Sequence, residues 1–280
     1  MLAPIRKCDS EITFAIERCH PEVVSLLISH GANIDIKLHN NETLLHVACK
    51  EGTLDMVKTL VNNGSCINSK TYSGQTPLFY CLRGSPYYSY AFATLNRVRD
   101  AESFQEGNDI MEYLLKKGAT LSCKDDSGKT PLEHAMMAYR TFATFILLKY
   151  GGRISGEHLN MLSWDTDRLG TMRRQLANVH LFRLLLRSNF EFKRSVRVCV
   201  RRLSFMFTKQ FIPFLIEYRQ PLSLKDQCRI SIRHMISTDT GVQFISSINT
   251  LGLPKLLQGF LMFDDFDQSA RLPTKLQLSE

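Results

Sequence analysis

The stretch NETLLHVACKEGTLDMVKTLVNNG, residues 41–64, contains two short apolar segments and ends on a glycine. The second segment, LDMVKTLV, spaces its apolar residues three and four positions apart, as a helix with one buried face does. Gly64 follows where helices commonly end in a left-handed residue, a conformation that glycine adopts without a Cβ penalty. The stretch predicts two short helices with a sharp stop after the second.

The same pattern recurs along the chain. Its closing phrase appears as HGANID, NGSCIN, KGATLS and YGGRIS, with the glycines Gly31 and Gly64 separated by 33 residues and Gly118 and Gly151 by 33 again. Its opening phrase appears as TLLH, TPLF and TPLE, beginning at Thr43, Thr76 and Thr130. A period in this range is typical of a repeat protein, in which each unit buries its apolar face against the next.

These phrases resemble the ankyrin repeat, whose unit begins T-P-L-H-x-A. The resemblance covers residues from about 10 to 152, within a predicted repeat domain of residues 1–152, and implies an all-α solenoid of helix pairs with short finger loops. Four units are expected. The first has SEIT in place of the opening phrase, as a capping unit can. The third carries a Tyr-rich insertion at about residues 84–106. His46 stands where ankyrin repeats carry a structural histidine, whereas His134, one position off, is interpreted as an ordinary helix residue.

Beyond residue 152 the repeat fades. Two later stretches are typical of the second helices of degenerate repeats: HLFRLLLRSNFE (180–191) and FIPFLIEYRQ (211–220). Residues 153–220 are therefore interpreted as one or two degenerate helix pairs. This segment is basic, with 13 Lys or Arg against 5 Asp or Glu from Arg153 to Arg219, while the rest of the chain is balanced. Such a run is most often a solvated face; contact with an acidic target or with nucleic acid are the alternatives.

The stretch PLSLKDQCRISIRHMI, residues 221–236, predicts a helix of another kind. Ser223 and Asp226 form a capping-box pattern at its start. Leu224, Cys228 and Ile232 recur at every fourth position and form a narrow apolar face, while Arg229 and Arg233 are expected to stay solvated. Two further short helices are expected downstream, the last opened by Pro254. A module this small buries little by itself, so its apolar stripe indicates a partner.

SLKDQCRISIR is similar to the elongin-binding box of SOCS-box proteins, and LGLPKLLQGFL (251–261) resembles their cullin box, L-P-L-P-x-x-L-x-x-Y-L. Phe260 stands for the tyrosine and Gly252 for the first proline. Ankyrin repeats followed by such a box are the arrangement of the ankyrin-and-SOCS-box family. The box would span residues 221–263, followed by a tail at 264–280.

The resemblance implies a non-catalytic substrate receptor of a ubiquitin ligase. The residues expected to bind elongin B/C are Leu224, Cys228 and Ile232. Those expected to bind a cullin, cullin-5 rather than cullin-2, are Leu251, Leu253, Pro254, Leu257, Phe260 and Leu261. A RING-box protein would complete the ligase. Because glycine leaves the turn before Pro254 looser than proline would, Gly252→Pro is predicted to tighten cullin binding. The alternative is an ankyrin scaffold without ligase coupling.

Ankyrin arrays bind through the side formed by their finger tips and first helices. The tips here are polar, and Tyr72 is the only Phe, Tyr or Trp among them. Aromatic anchors dominate interface energetics, so Tyr72 is expected at the centre of target capture. The expected target-binding residues are Lys37, His39, Asn40, Lys70, Tyr72 and Asp126.

Composition argues against several other classes. No apolar run approaches the roughly 18 residues of a membrane span, and the N-terminus lacks the apolar core of a signal peptide. The eight cysteines are scattered without a C-x-x-C pair, which favours reduced thiols in the cytoplasm or nucleus. With neither a glycine-rich phosphate loop nor metal-ligand spacing, no catalytic residue, cofactor or metal is expected.

Overall fold

The computed structural model describes residues 7–51, 53–83, 99–138, 140–153, 223–236 and 239–264. The degenerate helix pairs predicted for 153–220 lie outside the described residues, apart from Arg153, as does the tail beyond Asp264. Of the predicted insertion, residues 84–98 also lie outside them, while residues 99–106 begin a helix. None of the helices within these ranges is long and apolar enough to cross a membrane.

The described residues are helical and contain no β-strand, which confirms the predicted all-α class. Their helices are α1 (Lys7–Glu17), α2 (Pro21–Ser29), α3 (Leu44–Glu51), α4 (Leu54–Asn62), α5 (Pro77–Arg83), α6 (Arg99–Lys116), α7 (Pro131–Met137), α8 (Thr141–Lys149), α9 (Leu224–Met235), α10 (Gly241–Thr250) and α11 (Lys255–Leu261).

The helices divide between two compact units. The first contains α1–α6 and the beginning of α7. Within it, α3 packs against both α1 and α5, and α4 packs against both α2 and α6. Two parallel rows result, one of first helices and one of second helices, as expected of ankyrin pairs. Because α3 has neighbours on both sides, its side chains from Leu44 to Cys49 are all buried.

A glycine ends the second helix of each pair. Gly31, Gly64, Gly118 and Gly151 all have positive φ, between 86° and 99°. In each case the following residue donates its N–H back into the last turn, as in Ala32 N to Leu27 O, 3.0 Å, and Ala119 N to Leu114 O, 2.9 Å. This pattern satisfies carbonyls that the helix end would leave unpaired, so the predicted left-handed stops are confirmed.

His46 holds the start of α3 to the next unit. Its Nδ1 accepts the Thr43 backbone N–H at 3.0 Å, which leaves Nε2–H to donate to the Gln75 carbonyl at 3.2 Å. The side chain is fully buried. Burial lowers the pKa of His46 from 6.5 to about 4, so the ring is neutral at physiological pH. The structural role predicted for this histidine is confirmed.

Acidification should destabilise the repeats through His46. The unfolded chain takes up a proton near pH 6.5 while the folded chain resists protonation down to about pH 4. The unfolded state therefore binds more protons in this window, and stability falls as the pH falls through it. The native chain should therefore lose about 2 kcal/mol more of its unfolding free energy than His46→Gln does between pH 7 and pH 5. Urea unfolding of both proteins at both pH values measures this; an unchanged difference would contradict it.

His134 is more than the ordinary helix residue predicted. Glu133 occupies the histidine position of its unit and accepts the Thr130 N–H at 2.8 Å, while Thr130 Oγ1 accepts the Glu133 N–H at 3.4 Å. This reciprocal capping box replaces the histidine at the helix start. His134 instead lies 2.8 Å from Asp125 Oδ2. Burial opposes ionisation of Asp125, but hydrogen bonds from Ser127, the Lys129 backbone and His134 outweigh it and lower its pKa to about 2.

The second unit contains α8 and the three-helix module, α9–α11, with α10 belonging to it from Gln243 onward. Phe244, Ile248 and Leu261 form the module's core. Ile232, Ile236, Leu253 and Met262 pack against these three side chains. The Ser223 side chain accepts the Asp226 N–H at 3.1 Å, so the capping predicted for α9 is confirmed.

Candidate functional site

The solvent-facing side of α9 carries two of the three residues of the predicted stripe. Leu224 is 76% exposed, and Cys228, one turn further along, is also exposed. Fully burying a leucine is worth about 1.5 to 3 kcal/mol, and here that free energy is unused within the described residues. A leucine presented in this way at the start of a capped helix is available to a partner.

Ile232, the third residue of the stripe, packs into the module's own core. The reason is geometric. Four residues of a helix with 3.6 residues per turn overshoot a full turn by about 40°, so the stripe has rotated by about 80° between Leu224 and Ile232. The stripe therefore begins on the surface and ends inside, and Ile232 connects the exposed face to the core.

The six predicted cullin-binding residues are divided in the same way. Leu251, Pro254 and Leu257 are exposed, whereas Leu261 is buried and Leu253 packs against the core. Phe260 is half-buried because the Arg229 guanidinium lies 3.7 Å and the Lys225 ammonium 4.4 Å from its ring centroid. Leu256, which lies outside the predicted contact residues, is 85% exposed. The exposed apolar surface around Pro254 is therefore formed by Leu251, Pro254, Leu256 and Leu257.

The turn before Pro254 has a backbone conformation that proline cannot adopt, which removes the reason for expecting Gly252→Pro to tighten cullin binding. Gly252 follows the last turn of α10 with φ +63°. Proline is locked near −65° and cannot adopt this conformation. No atom lies within 4 Å of a Cβ built at this position, so the restriction comes from the backbone alone. Glycine thus gives the turn its shape here instead of loosening it.

Substitutions at Gly252 should destabilise the three-helix module. We expect Gly252→Ala to cost about 1 kcal/mol, because a residue with a Cβ disfavours positive φ. Gly252→Pro should cost more, because the turn must be rebuilt. Asparagine tolerates this region, so Gly252→Asn serves as the mild control. Thermal unfolding of the three variants gives the ranking; a proline variant as stable as the native chain would contradict the assigned turn.

Arg229 and Arg233 were predicted to be solvated, but Arg229 is buried and Arg233 is half-buried. Arg229 has no exposed surface, and its guanidinium lies over the rings of Phe260 and Phe263, at 3.7 and 4.8 Å. Arg233 lies 4.5 Å from the ring centroids of Phe244 and Phe263. A guanidinium above an aromatic face is stabilised by the negative face of the ring. The five side chains together form a layer that the helical periodicity of α9 alone does not predict.

Arg233 also attaches the module to α8. It donates hydrogen bonds to the carbonyls of Leu148, in the last turn of α8, and Leu261, at the end of α11. Both acceptors lie at helix C-termini, where the helix dipole favours a cation. Burial, and then the charge of Arg229, lower the pKa of Arg233 to about 9, so it remains protonated at neutral pH.

Three further contacts join the module to the end of α8 and the residues that follow it. Lys149 forms an ion pair with Asp264 at 3.3 Å, and Arg153 donates to the His234 carbonyl at 3.2 Å. Phe244 lies so close to Gly151 that a Cβ there would be 2.9 Å from the ring. Within the second unit, α8 and the three-helix module therefore share one packed surface, although residues 154–222 separate them in sequence.

The finger tips of the first unit form a second candidate surface. Lys37, His39, Lys70, Tyr72 and Asp126 are exposed and Asn40 is half-buried. Backbone hydrogen bonds join successive fingers: Tyr72 N donates to Asn40 O and Asp126 N to Ser73 O, both at 3.1 Å. The structure thus brings the predicted target-binding residues into one row, with Tyr72, 75% exposed, on the middle finger.

Family profiles match both parts of the chain. The ankyrin-repeat profile matches residues 12–90 in three copies. The SOCS-box profile matches residues 220–262, which include α9, α10 and α11.

The chain combines ankyrin repeats with a SOCS box. This combination is that of the ankyrin-and-SOCS-box-like family, and the three-helix module is its SOCS box.

Two ankyrin repeat and SOCS box proteins and Rabankyrin-5 each match part of the chain. Ankyrin repeat and SOCS box protein 11 of Danio rerio is 30% identical over 119 residues, 42% of this chain and 33% of that protein. Human ankyrin repeat and SOCS box protein 3 is 30% identical over 128 residues, 40% of this chain and 24% of that protein. Mouse Rabankyrin-5 is 30% identical over 131 residues, 46% of this chain and 10% of that protein. The matched regions thus span a third or less of these relatives.

Proposed function

We propose that this chain is the substrate-recognition subunit of an elongin B/C–cullin–RING ubiquitin ligase. The observation that carries the proposal is the pair Leu224 and Cys228, apolar and exposed on one face of a SOCS-box helix whose other face is packed. In this proposal the chain has no catalytic residues of its own. Its repeats hold a target protein while the SOCS box recruits the ligase, in the cytoplasm or nucleus.

The elongin B/C contact would use the start of α9. Leu224 projects beyond the module and would insert into an apolar pocket of the partner. Cys228 is small and polarizable, so it would pack where a larger side chain clashes. Ile232, half-buried in the SOCS-box core, would form the inner edge of the contact and hold the helix in place.

The cullin contact, assigned to cullin-5 with its RING-box protein, would use the loop around Pro254. Leu251, Pro254 and Leu257 are exposed and would touch the cullin. Leu253, Phe260 and Leu261 would support that surface from behind, because each packs within the module. Gly252 shapes the turn between Leu251 and Leu253, so its replacement of the family proline is compatible with this role.

Co-expression with elongin B and elongin C tests the proposal. A stable complex of the full chain with both proteins on gel filtration is expected. A chain that elutes without them would favour the alternative function, an ankyrin scaffold in signalling that binds its partner without ligase coupling.

Tyr72 is proposed as the anchor for the target. Once proximity labelling has identified a bound protein, Tyr72→Ala should weaken its capture by about 30-fold or more, as truncation of a central aromatic anchor does. Leu26→Ala removes an exposed apolar side chain from α2, a second helix outside the proposed surface, and should leave capture unchanged. If deleting residues 85–100 abolishes capture while Tyr72→Ala does not, the target is bound by the insertion and the proposed surface is wrong.

A further inference from the structure

A lysine occupies the same position in three successive fingers. Counted back from the threonine that opens each first helix (Thr43, Thr76 and Thr130), the sixth residue is Lys37, Lys70 and Lys124. All three are exposed, and none makes an ion pair with a residue that the structure describes. We name these three side chains the lysine row.

The fingers that carry the lysine row are held in fixed register. Besides the two backbone bonds between fingers, the Asn41 side chain donates to the carbonyl of Lys70 itself at 2.7 Å. On the third finger, Asp125 accepts N–H bonds from Ser127 and Lys129, both at 3.0 Å, next to Lys124. Because packed helices lie about 8 to 10 Å apart, fingers on neighbouring first helices repeat at about that distance. The distances between the backbones of the three lysines are therefore fixed before any partner binds.

The carboxylates near the lysine row are mostly engaged elsewhere. Glu42 accepts the hydroxyl of Tyr80 at 2.6 Å, and Asp125 is buried against His134. The exposed acidic side chains on these described fingers are Asp35 and Asp126. The row is thus a line of three cations at regular intervals, interrupted on its outer fingers by two anions.

We propose that the lysine row binds an extended acidic segment of the target, with carboxylates about three residues apart. In a polyproline II conformation a chain rises about 3.1 Å per residue with three residues per turn, so every third side chain lies on one face and recurs at about 9 Å, the finger spacing. Tyr72, two residues after Lys70, would contact the segment between its acidic residues. The inference rests on the proposed function only in taking the segment to belong to the ubiquitination target.

A peptide fits this surface better than a nucleic acid does. Nucleic-acid affinity comes from many cations along a closely spaced phosphate backbone. The lysine row offers only three cations, at wide intervals, and Asp35 and Asp126 would repel a continuous line of phosphates. An acidic peptide can place apolar or polar residues opposite those two carboxylates.

Fluorescence anisotropy with the full chain tests the proposal. The probe is a labelled peptide of about nine residues, with glutamates at every third position and alanine or serine elsewhere. Its isomer has the three glutamates adjacent. At about 50 mM salt, where screening is weak, we expect the spaced peptide to bind several-fold tighter than the isomer. Replacing Lys37, Lys70 and Lys124 by glutamine should weaken binding by about tenfold, the combined effect of three exposed charge pairs.

The matched control replaces three lysines of the second helices and their ends, Lys58, Lys116 and Lys117, by glutamine and should leave binding unchanged. The proposal is overturned if both peptides bind equally, if the control variant loses as much affinity, or if a single-stranded oligonucleotide binds the row more tightly than either peptide. Co-purification with elongin B/C is measured in parallel. Failed peptide binding with intact elongin binding refutes the lysine row alone, whereas failed elongin binding refutes the ligase function.

Discussion

Replacing Leu224 by alanine and Cys228 by phenylalanine together should abolish co-purification with elongin B and elongin C. Leu224 would lose the side chain that fills the partner's pocket, and phenylalanine at position 228 would hold the two surfaces apart. Each change at a central anchor is expected to cost about 2 kcal/mol or more, so the combined loss is about a thousandfold or greater.

The exposure of both side chains makes this a clean test. Because neither is buried in the SOCS-box core, the double variant should unfold at the same temperature as the native chain. Met235→Ala is the control, since Met235 is also 75% exposed and lies at the other end of α9. It should retain elongin B/C. If the double variant still co-purifies with elongin B/C, the assigned elongin surface is wrong. If Met235→Ala also fails to co-purify, the surface is broader than Leu224 and Cys228.

Replacing Arg233 by leucine should destabilise the second unit by about 2 to 3 kcal/mol. The substitution leaves the Leu261 carbonyl without this donor, at a cost of about 1 to 3 kcal/mol, whereas the Leu148 carbonyl loses one of two bonds and keeps the Gly151 N–H at 3.0 Å. It also removes the guanidinium between Phe244 and Phe263. Removing a half-buried charge recovers some desolvation free energy, which keeps the net loss below the sum of these terms.

Hydrogen exchange of the α8–α11 amides, together with urea unfolding, measures this effect. Faster exchange is expected at the end of α8 and in α9–α11, where Arg233 makes its contacts. Arg153→Ala is the matched control, because its bond to the His234 carbonyl is exposed, and it should cost less than about 1 kcal/mol. Unchanged exchange and unfolding in Arg233→Leu would show that the guanidinium does not hold the module.

Gly151→Ala tests the same packed surface from the α8 side. A Cβ at Gly151 would lie 2.9 Å from the Phe244 ring, at a φ of +99°. The variant therefore combines a steric clash with a backbone penalty and should also release the SOCS box from α8. Gly151 carries no charge. If Gly151→Ala accelerates amide exchange in α9–α11 as Arg233→Leu is expected to do, packing at this surface stabilises the unit independently of the Arg233 charge.

The sequence by itself determined the features that depend on a few neighbouring residues. The left-handed stops at Gly31, Gly64, Gly118 and Gly151 follow from the absence of a Cβ, and the Ser223 cap follows from one hydroxyl near one N–H. The 33-residue period determined the repeat architecture, since each unit presents the same apolar face to the next. Leu224 and Cys228 were predicted as a partner surface because motif spacing places both on one helix face.

Only the tertiary structure decided which polar and apolar residues were surface and which were interior. Arg229 and Arg233 are polar in any helical pattern, yet Phe244, Phe260 and Phe263 arrive from other helices and cover them. Ile232 and Leu261 match binding motifs, yet the module needs them for its own core. The +63° φ of Gly252 depends on how α10 meets the next helix. Each of these outcomes depends on residues far apart in sequence, because burial is set by the elements that pack together.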